Sequence, residues 1–174
     1  MDFALLVLRL TVGTLMAGHG SQKLFGWFKG PGLTGTRGFM GSLGMEPANV
    51  WGTIAALGES TGGLFTALGL FGPLGPLNVA ASMTVATRRA HWKAPVWAAE
   101  GGAELAVTNL AASLLLAIAG PGRFSLDRLF GIRVPKWLAG ILWLHTVAVT
   151  AAALQRPQIA QTILDKVNGV TGKG

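Results

Sequence analysis

The chain has 174 residues, a formal net charge of +7, and only 12% charged against 51% hydrophobic residues, with a mean hydropathy of +0.51. A soluble domain carries about 25% charged residues, so the composition argues for an integral membrane protein. It also argues against nucleic acid as the partner of the basic residues, because the lysines and arginines flank apolar runs rather than interleave with a recognition motif. The absence of cysteine excludes disulfides, thiol catalysis, Fe–S clusters and thiolate metal sites within this sequence.

The first apolar run, residues 3–25, is close to the ~20 residues a bilayer requires and reads as a retained span rather than a cleaved signal. It nevertheless contains Arg9, His19 and Lys23. Hydrocarbon disfavours such groups, so they are expected to turn toward a protein interior or the interface. Trp27 and Phe28 mark that interface. Residues 33–46 are too short and glycine-broken to span, and Phe39, Met40, Leu43 and Met45 suit an interfacial or re-entrant segment.

A second span is expected over 50–71, opening at Pro47 and Trp51 and holding one charge, Glu59. The Gly58-Glu-Ser-Thr-Gly62 spacing permits a close helix crossing. Gly72-Pro-Leu-Gly-Pro76 reads as a tight uncharged turn, which makes the third span, 77–90, an antiparallel neighbour of the second. That span ends in Arg88, Arg89, His91, Trp92 and Lys93. The fourth is expected to begin near Trp97, to carry Glu100 and Glu104 four residues apart on one face together with Asn109, and to end at Gly120-Pro-Gly122. An amphipathic connector, 123–136, leads to a fifth apolar run, 137–154, containing His145. Ile159, Ile163, Leu164 and Val167 then fall on one helical face, suiting a surface tail, and the last five residues are expected to be flexible. Trp27, Trp51, Trp92 and Trp97 all fall at one membrane level, as an aromatic belt predicts, with Trp137 at the other.

The fold expected is therefore an all-α integral membrane protein: a four-helix transmembrane bundle over 1–130, followed over 131–174 by an extra apolar helix and an amphipathic tail. Lys23, Lys29, Arg37, Arg88, Arg89, Lys93 and the tail's basic residues outnumber Arg9, Arg123, Arg128, Arg133 and Lys136, which favours loops one and three in the cytoplasm. That bias depends on the fifth run crossing the bilayer.

Depth brings the polar residues together. His19 and Lys23 occupy the loop-one half of the first span, Glu59 lies near the middle of the second, Arg88 and His91 close the third, and Glu104 opens the fourth. Antiparallel packing places them in one half of a bundle, where buried charges need partners. The candidate catalytic residues are His19, Glu59, His91 and Glu104, with Lys23, Arg88 and Asn109 as candidate substrate contacts. Each also has a plainer reading: Lys23 snorkelling, Glu59 in a fold-holding ion pair, Asn109 as interhelical glue, and His145 as a structural residue. Arg9 reads either as a snorkelling side chain or as a clamp on the last loop through Asp127; both are assigned structural roles. His19, His91, Glu59 and Glu104 are of metal-ligating types, but no His-xxx-His spacing supports a site, so no metal is expected.

At these residues the chain resembles the DoxX family of small bacterial membrane proteins. The resemblance rests on Arg9-Leu…Gly13, His19-Gly-Ser-Gln-Lys23-Leu-Phe-Gly26, Glu59 with Gly62-Gly63, Ala90-His91, and Gly120-Pro-Gly-Arg-Phe-Ser-Leu-Asp127, over about residues 5–130. It implies a four-helix transmembrane fold in the bacterial plasma membrane. It further implies a link to redox chemistry, since the family takes its name from a subunit tied to thiosulfate oxidation with quinone reduction. The functions this suggests are a quinone-contacting membrane subunit of a redox system, a non-catalytic assembly or anchoring subunit, or a small proton-coupled carrier. The expected partners are membrane lipids and either other redox-complex subunits or further copies of the chain.

Overall fold

The computed structural model describes residues 1–155, 158, 162–163 and 165–166. The expectations for the amphipathic tail and the flexible last residues fall largely or wholly outside these. Among the described residues the chain is all helix and turn. Helix α1 spans Asp2–Phe25, α2 Gly32–Ser42, α3 Ala48–Leu68, α4 Leu74–Val85 (prolonged by a π turn, Ala86–Ala90), α5 Glu104–Ala119, α6 Leu126–Phe130 and α7 Lys136–Gln155. By length and composition α1 and α7 can each cross a membrane, and α5 is a shorter apolar helix.

The helices pack in an order dictated by small residues. A Cβ on Gly13 would meet the Ala67 backbone, one on Gly20 the Ser60 backbone, and one on Gly63 the Ala17 backbone, each within 2.3 Å. These contacts run in opposite directions along the two chains, so α1 and α3 are antiparallel at near backbone contact. Gly62 sits in the same way against Asn78, and Gly75 against Thr66, joining α3 to α4. Gly58, expected to share this crossing, has room: its nearest neighbour would be the Ser82 hydroxyl at 3.6 Å. Close approach thus uses Gly62 and Gly63, while at Gly58 a Cβ would make only an ordinary contact.

Val12 and Met16 of α1, Val79 and Met83 of α4, and Ala106 of α5 form one apolar core. A second joins Met40 and Met45 to Trp51 and to Ala153 of α7. The outward positions carry the large apolar residues instead: Leu15 on α1, Leu57 and Leu64 on α3, Leu115 and Ile118 on α5, Ile141 and Leu144 on α7 are all exposed. Helix crossings made by glycines, with large apolar residues turned outward, are the arrangement of helices packed in lipid.

Several expectations change. The third helix starts at Leu74 rather than after Pro76, because proline in a first turn forfeits no intrahelical hydrogen bond. The fourth begins at Glu104: Ala98–Glu100 is a separate 3-10 turn, and Gly101 in the left-handed region (φ 80°) separates the two. Trp51 is buried rather than in an aromatic belt, covered by α2 and α7, whereas Trp27, Trp92, Trp97 and Trp137 are exposed. In the connector the buried residues are the polar Ser125 and Asp127, while Phe124, Leu129 and Phe130 face outward.

Candidate functional site

The end of the fold that holds the α1 C-terminus, the α3 N-terminus and the α4 C-terminus forms a partly open cavity of about 300 Å³. Its walls are mainly apolar: Phe39 and Met40 of α2, Met45 of the loop that follows, Trp51 and Ile54 of α3, Val85 of α4, Val149 and Ala153 of α7. Into these walls are set Lys23, Glu59, Asn78, Ser82, Arg89, His91, His145 and Thr150.

Glu59 is the centre of this polar set. Its side chain is 4% exposed and forms an ion pair with Lys23, which is 27% exposed. One carboxylate oxygen, Oε1, accepts from the Lys23 ammonium. The other, Oε2, is buried without a hydrogen-bond partner. The pairing follows from local sequence. Gly20 and Gly63 let α1 and α3 approach so closely that Lys23, one turn beyond Gly20, reaches Glu59, one turn before Gly63.

Arg89 is fixed from the other side. Its Nη2 donates to the carbonyls of Leu154 at 2.6 Å and Ala153 at 3.1 Å, at the C-terminus of α7. A cation there satisfies carbonyls that lack an intrahelical partner and complements the helix dipole. Its Nε remains buried and unpartnered. His91 Nδ1 lies 2.6 Å from the Gly101 carbonyl. A carbonyl only accepts, so Nδ1 carries the proton, and the Nε2 of a neutral ring is left as an acceptor.

The structure therefore brings together Lys23, Glu59 and His91 from the expected set and leaves the others elsewhere. His19 faces outward and pairs with Gln22 Oε1 at 3.2 Å. Glu104 is exposed and turns back to accept from the Ala98 N–H at 2.9 Å, which fixes its own loop. Arg88 stacks over Trp92, 4.9 Å from the ring centroid, a cation–π contact on the outside. Asn109 is part-buried on α5 and outside the cavity. In their place stand Arg89, Asn78, His145 and Thr150. His145 and the Arg88-Arg89 pair were visible in the sequence, but which arginine turned inward was not. Among the described residues no three His, Asp or Glu side chains converge in a metal-binding group.

Arg9 and Asp127 lie at the opposite end and both are buried. Arg9 donates to the Phe124 carbonyl, so it does hold the last loop, but through the backbone rather than through Asp127. Asp127 accepts from the Phe71 N–H at 2.8 Å and the Gly72 N–H at 2.6 Å. Phe71 (φ 60°) and Gly72 (φ 58°) both occupy the left-handed region, and Asp127 holds the α3–α4 turn in that conformation.

The DoxX family model matches residues 4–92, from the start of α1 to just beyond α4. No curated protein and no solved structure matches the chain. The match contains Lys23, Glu59, Arg89 and His91. The α7 wall of the cavity lies beyond it.

Proposed function

The chain belongs to the DoxX family of membrane proteins, and from that premise we propose that it is a membrane subunit of a redox system that contacts a quinone-type ring in the Glu59 cavity. In this reading α1, α3, α4 and α5 form a transmembrane four-helix bundle with α7 crossing beside it, in a bacterial plasma membrane. The lysine and arginine bias turns the cavity end toward the cytoplasm.

The observation that carries the reading is the Glu59–Lys23 ion pair set in the wall of a largely apolar cavity of about 300 Å³. Ligand pockets begin at about this size and combine apolar walls with a few placed polar groups. A flat ring with oxygens at its edge matches both features. A bound quinone supplies two-electron, two-proton exchange. The chain's own residues supply its surroundings. Met40, Met45 and Trp51 exclude water. Glu59 and His91 Nε2 accept protons or hydrogen bonds, Arg89 and Thr150 donate hydrogen bonds only, and Lys23 offsets the charge on Glu59. In this reading the electrons are exchanged with a partner subunit of the redox system.

The test is titration of the full chain in lipid nanodiscs with a decyl-substituted benzoquinone in each redox state, read as excess binding over empty discs. Gly58→Phe places a large side chain in the cavity from a position with free space, and is expected to abolish binding. His19→Ala, outside the cavity, is expected to leave it unchanged. Absence of binding in either redox state, or retained binding in Gly58→Phe, refutes the reading.

A further inference from the structure

A second hollow, of about 470 Å³, lies between the end of α2, the turn that closes α4 and the end of α7. Its wall holds three cations, Arg88, Arg89 and Lys93, and no acidic residue. Nearby acids are committed to their own loops: Glu46 accepts from the Ala48 N–H and Glu104 from the Ala98 N–H, each at 2.9 Å. Among the described residues, no acid lies within ion-pair distance of any of the three cations. Like charges gathered in one place repel, and a bound anion offsets that repulsion.

Two of the cations are held in place. Arg88 and Arg89 sit on the π turn Ala86–Ala90, a rare wide turn of a kind that recurs at functional sites. Arg88 lies 4.9 Å from the Trp92 ring centroid. Contact with a ring face steadies the guanidinium and leaves its planar N–H fork for a bidentate oxyanion. Arg89 gives its Nη2 to the Ala153 and Leu154 carbonyls, so what it brings to the hollow is mainly charge. Lys93 is exposed and adds three rotatable donors. A basic residue that only sets membrane topology needs no such fixing, since it can snorkel freely among the headgroups.

The rest of the wall indicates which anion fits. Leu43 and Leu154 are apolar, and Trp92 stands 65% exposed beside them. An amphipathic indole suits the headgroup level of a bilayer. A site that is cationic on one side and apolar on the other suits an anion carrying its own hydrocarbon. A zwitterionic headgroup would set its ammonium against three cations, whereas an anionic phosphodiester brings no such charge. Basic pockets between membrane helices near the surface bind headgroups of this kind.

We propose that this hollow is a binding site for a phosphate group, filled by the headgroup of an anionic phospholipid, with Arg88 and Lys93 as donors and Arg89 as a fixed charge. It is independent of what occupies the Glu59 cavity.

The experiment titrates the full chain, delipidated in a neutral detergent, with phosphatidylglycerol or with phosphatidylcholine of the same acyl chains, read as bound lipid by native mass spectrometry. Phosphatidylglycerol is expected to bind about tenfold tighter or more, as two free basic groups near an anionic headgroup imply. Arg88→Gln and Lys93→Gln are each expected to weaken it about fivefold, the contribution of one basic residue, and to leave phosphatidylcholine unchanged. Both positions are exposed, so neither substitution opens the core. Lys29→Gln removes an exposed charge outside the hollow and is expected to have no effect. Equal affinities for the two lipids overturn the proposal. So does an equal loss in Lys29→Gln, the mark of diffuse attraction to a basic surface. Millimolar inorganic phosphate, which lacks the hydrocarbon, is expected not to displace phosphatidylglycerol. Displacement overturns the lipid as occupant and makes the hollow a site for soluble phosphate.

Discussion

The Lys23–Glu59 pair makes an asymmetric prediction about stability. Lys23→Met keeps most of the apolar stem but removes the ammonium. It leaves Glu59, 4% exposed, with neither oxygen partnered, because Oε2 already lacks a hydrogen bond. Breaking a buried pair in this way costs about 3–5 kcal/mol. Glu59→Gln leaves the opposite partner unpaired, but Lys23 is 27% exposed and can carry its head outward on a flexible chain. The cost there is closer to the loss of one hydrogen bond to a charged group, about 1.5–3 kcal/mol. For a chain of this size 1 kcal/mol shifts the melting temperature by about 2–4 °C. In detergent, Lys23→Met is therefore expected to melt roughly 6–20 °C below the parent, and Glu59→Gln roughly 3–12 °C below it. The double variant Lys23→Met/Glu59→Leu removes both charges and is expected near the parent, since replacing a buried pair by apolar groups is often neutral. The reasoning is refuted if Lys23→Met costs no more than Glu59→Gln, or if the double variant shows the sum of the two losses.

Two further outcomes concern the scaffold. Asp127→Ala removes acceptors from two backbone N–H groups and is expected to cost about 3–6 kcal/mol, at about 1.5–3 kcal/mol per bond to a charged group. Faster amide exchange at Phe71 and Gly72 should accompany the lower melting temperature; unchanged exchange there would contradict the clamp. Gly63→Ala drives a Cβ to 2.2 Å from the Ala17 backbone nitrogen and must separate α1 from α3. It is expected to destabilise by at least the ~1–3 kcal/mol typical of overpacking. Gly18→Ala, on the same α1 with nothing within 4 Å, is expected to be neutral or slightly stabilising through helix propensity. Equal melting temperatures for the two would refute the close crossing.

The sequence by itself determined the features that depend on local composition and depth. The limits of α1 follow from one long, mostly apolar run, and the all-helical class from the scarcity of surface-forming residues. That Lys23 and Glu59 lie at one membrane level followed from antiparallel neighbours, but that they pair with each other did not. For Arg9 the sequence left snorkelling and a clamp through Asp127 both open; in the structure Arg9 and Asp127 each bond to backbone groups rather than to each other.

What only the tertiary structure decided is which side of each helix faces the cavity. One residue turns a side chain by about 100° around an α-helix, so Arg88 and Arg89 look equivalent in sequence yet face opposite ways, with Arg89 held by the carbonyls at the end of α7. His19 shares an i, i+4 relation with Lys23, but spacing alone does not say whether such a stripe ends inside a cavity or outside it. Glu104 left the expected cluster because Gly101 breaks the helix that would have placed Glu100 and Glu104 on one face. His145 and Thr150 joined because α7 docks on α4, a contact between residues more than fifty apart that no local pattern encodes. Charge and hydropathy fix how deep a group lies. Its partners are fixed by long-range packing, which here depends on the few glycines that bring α1, α3 and α4 into contact.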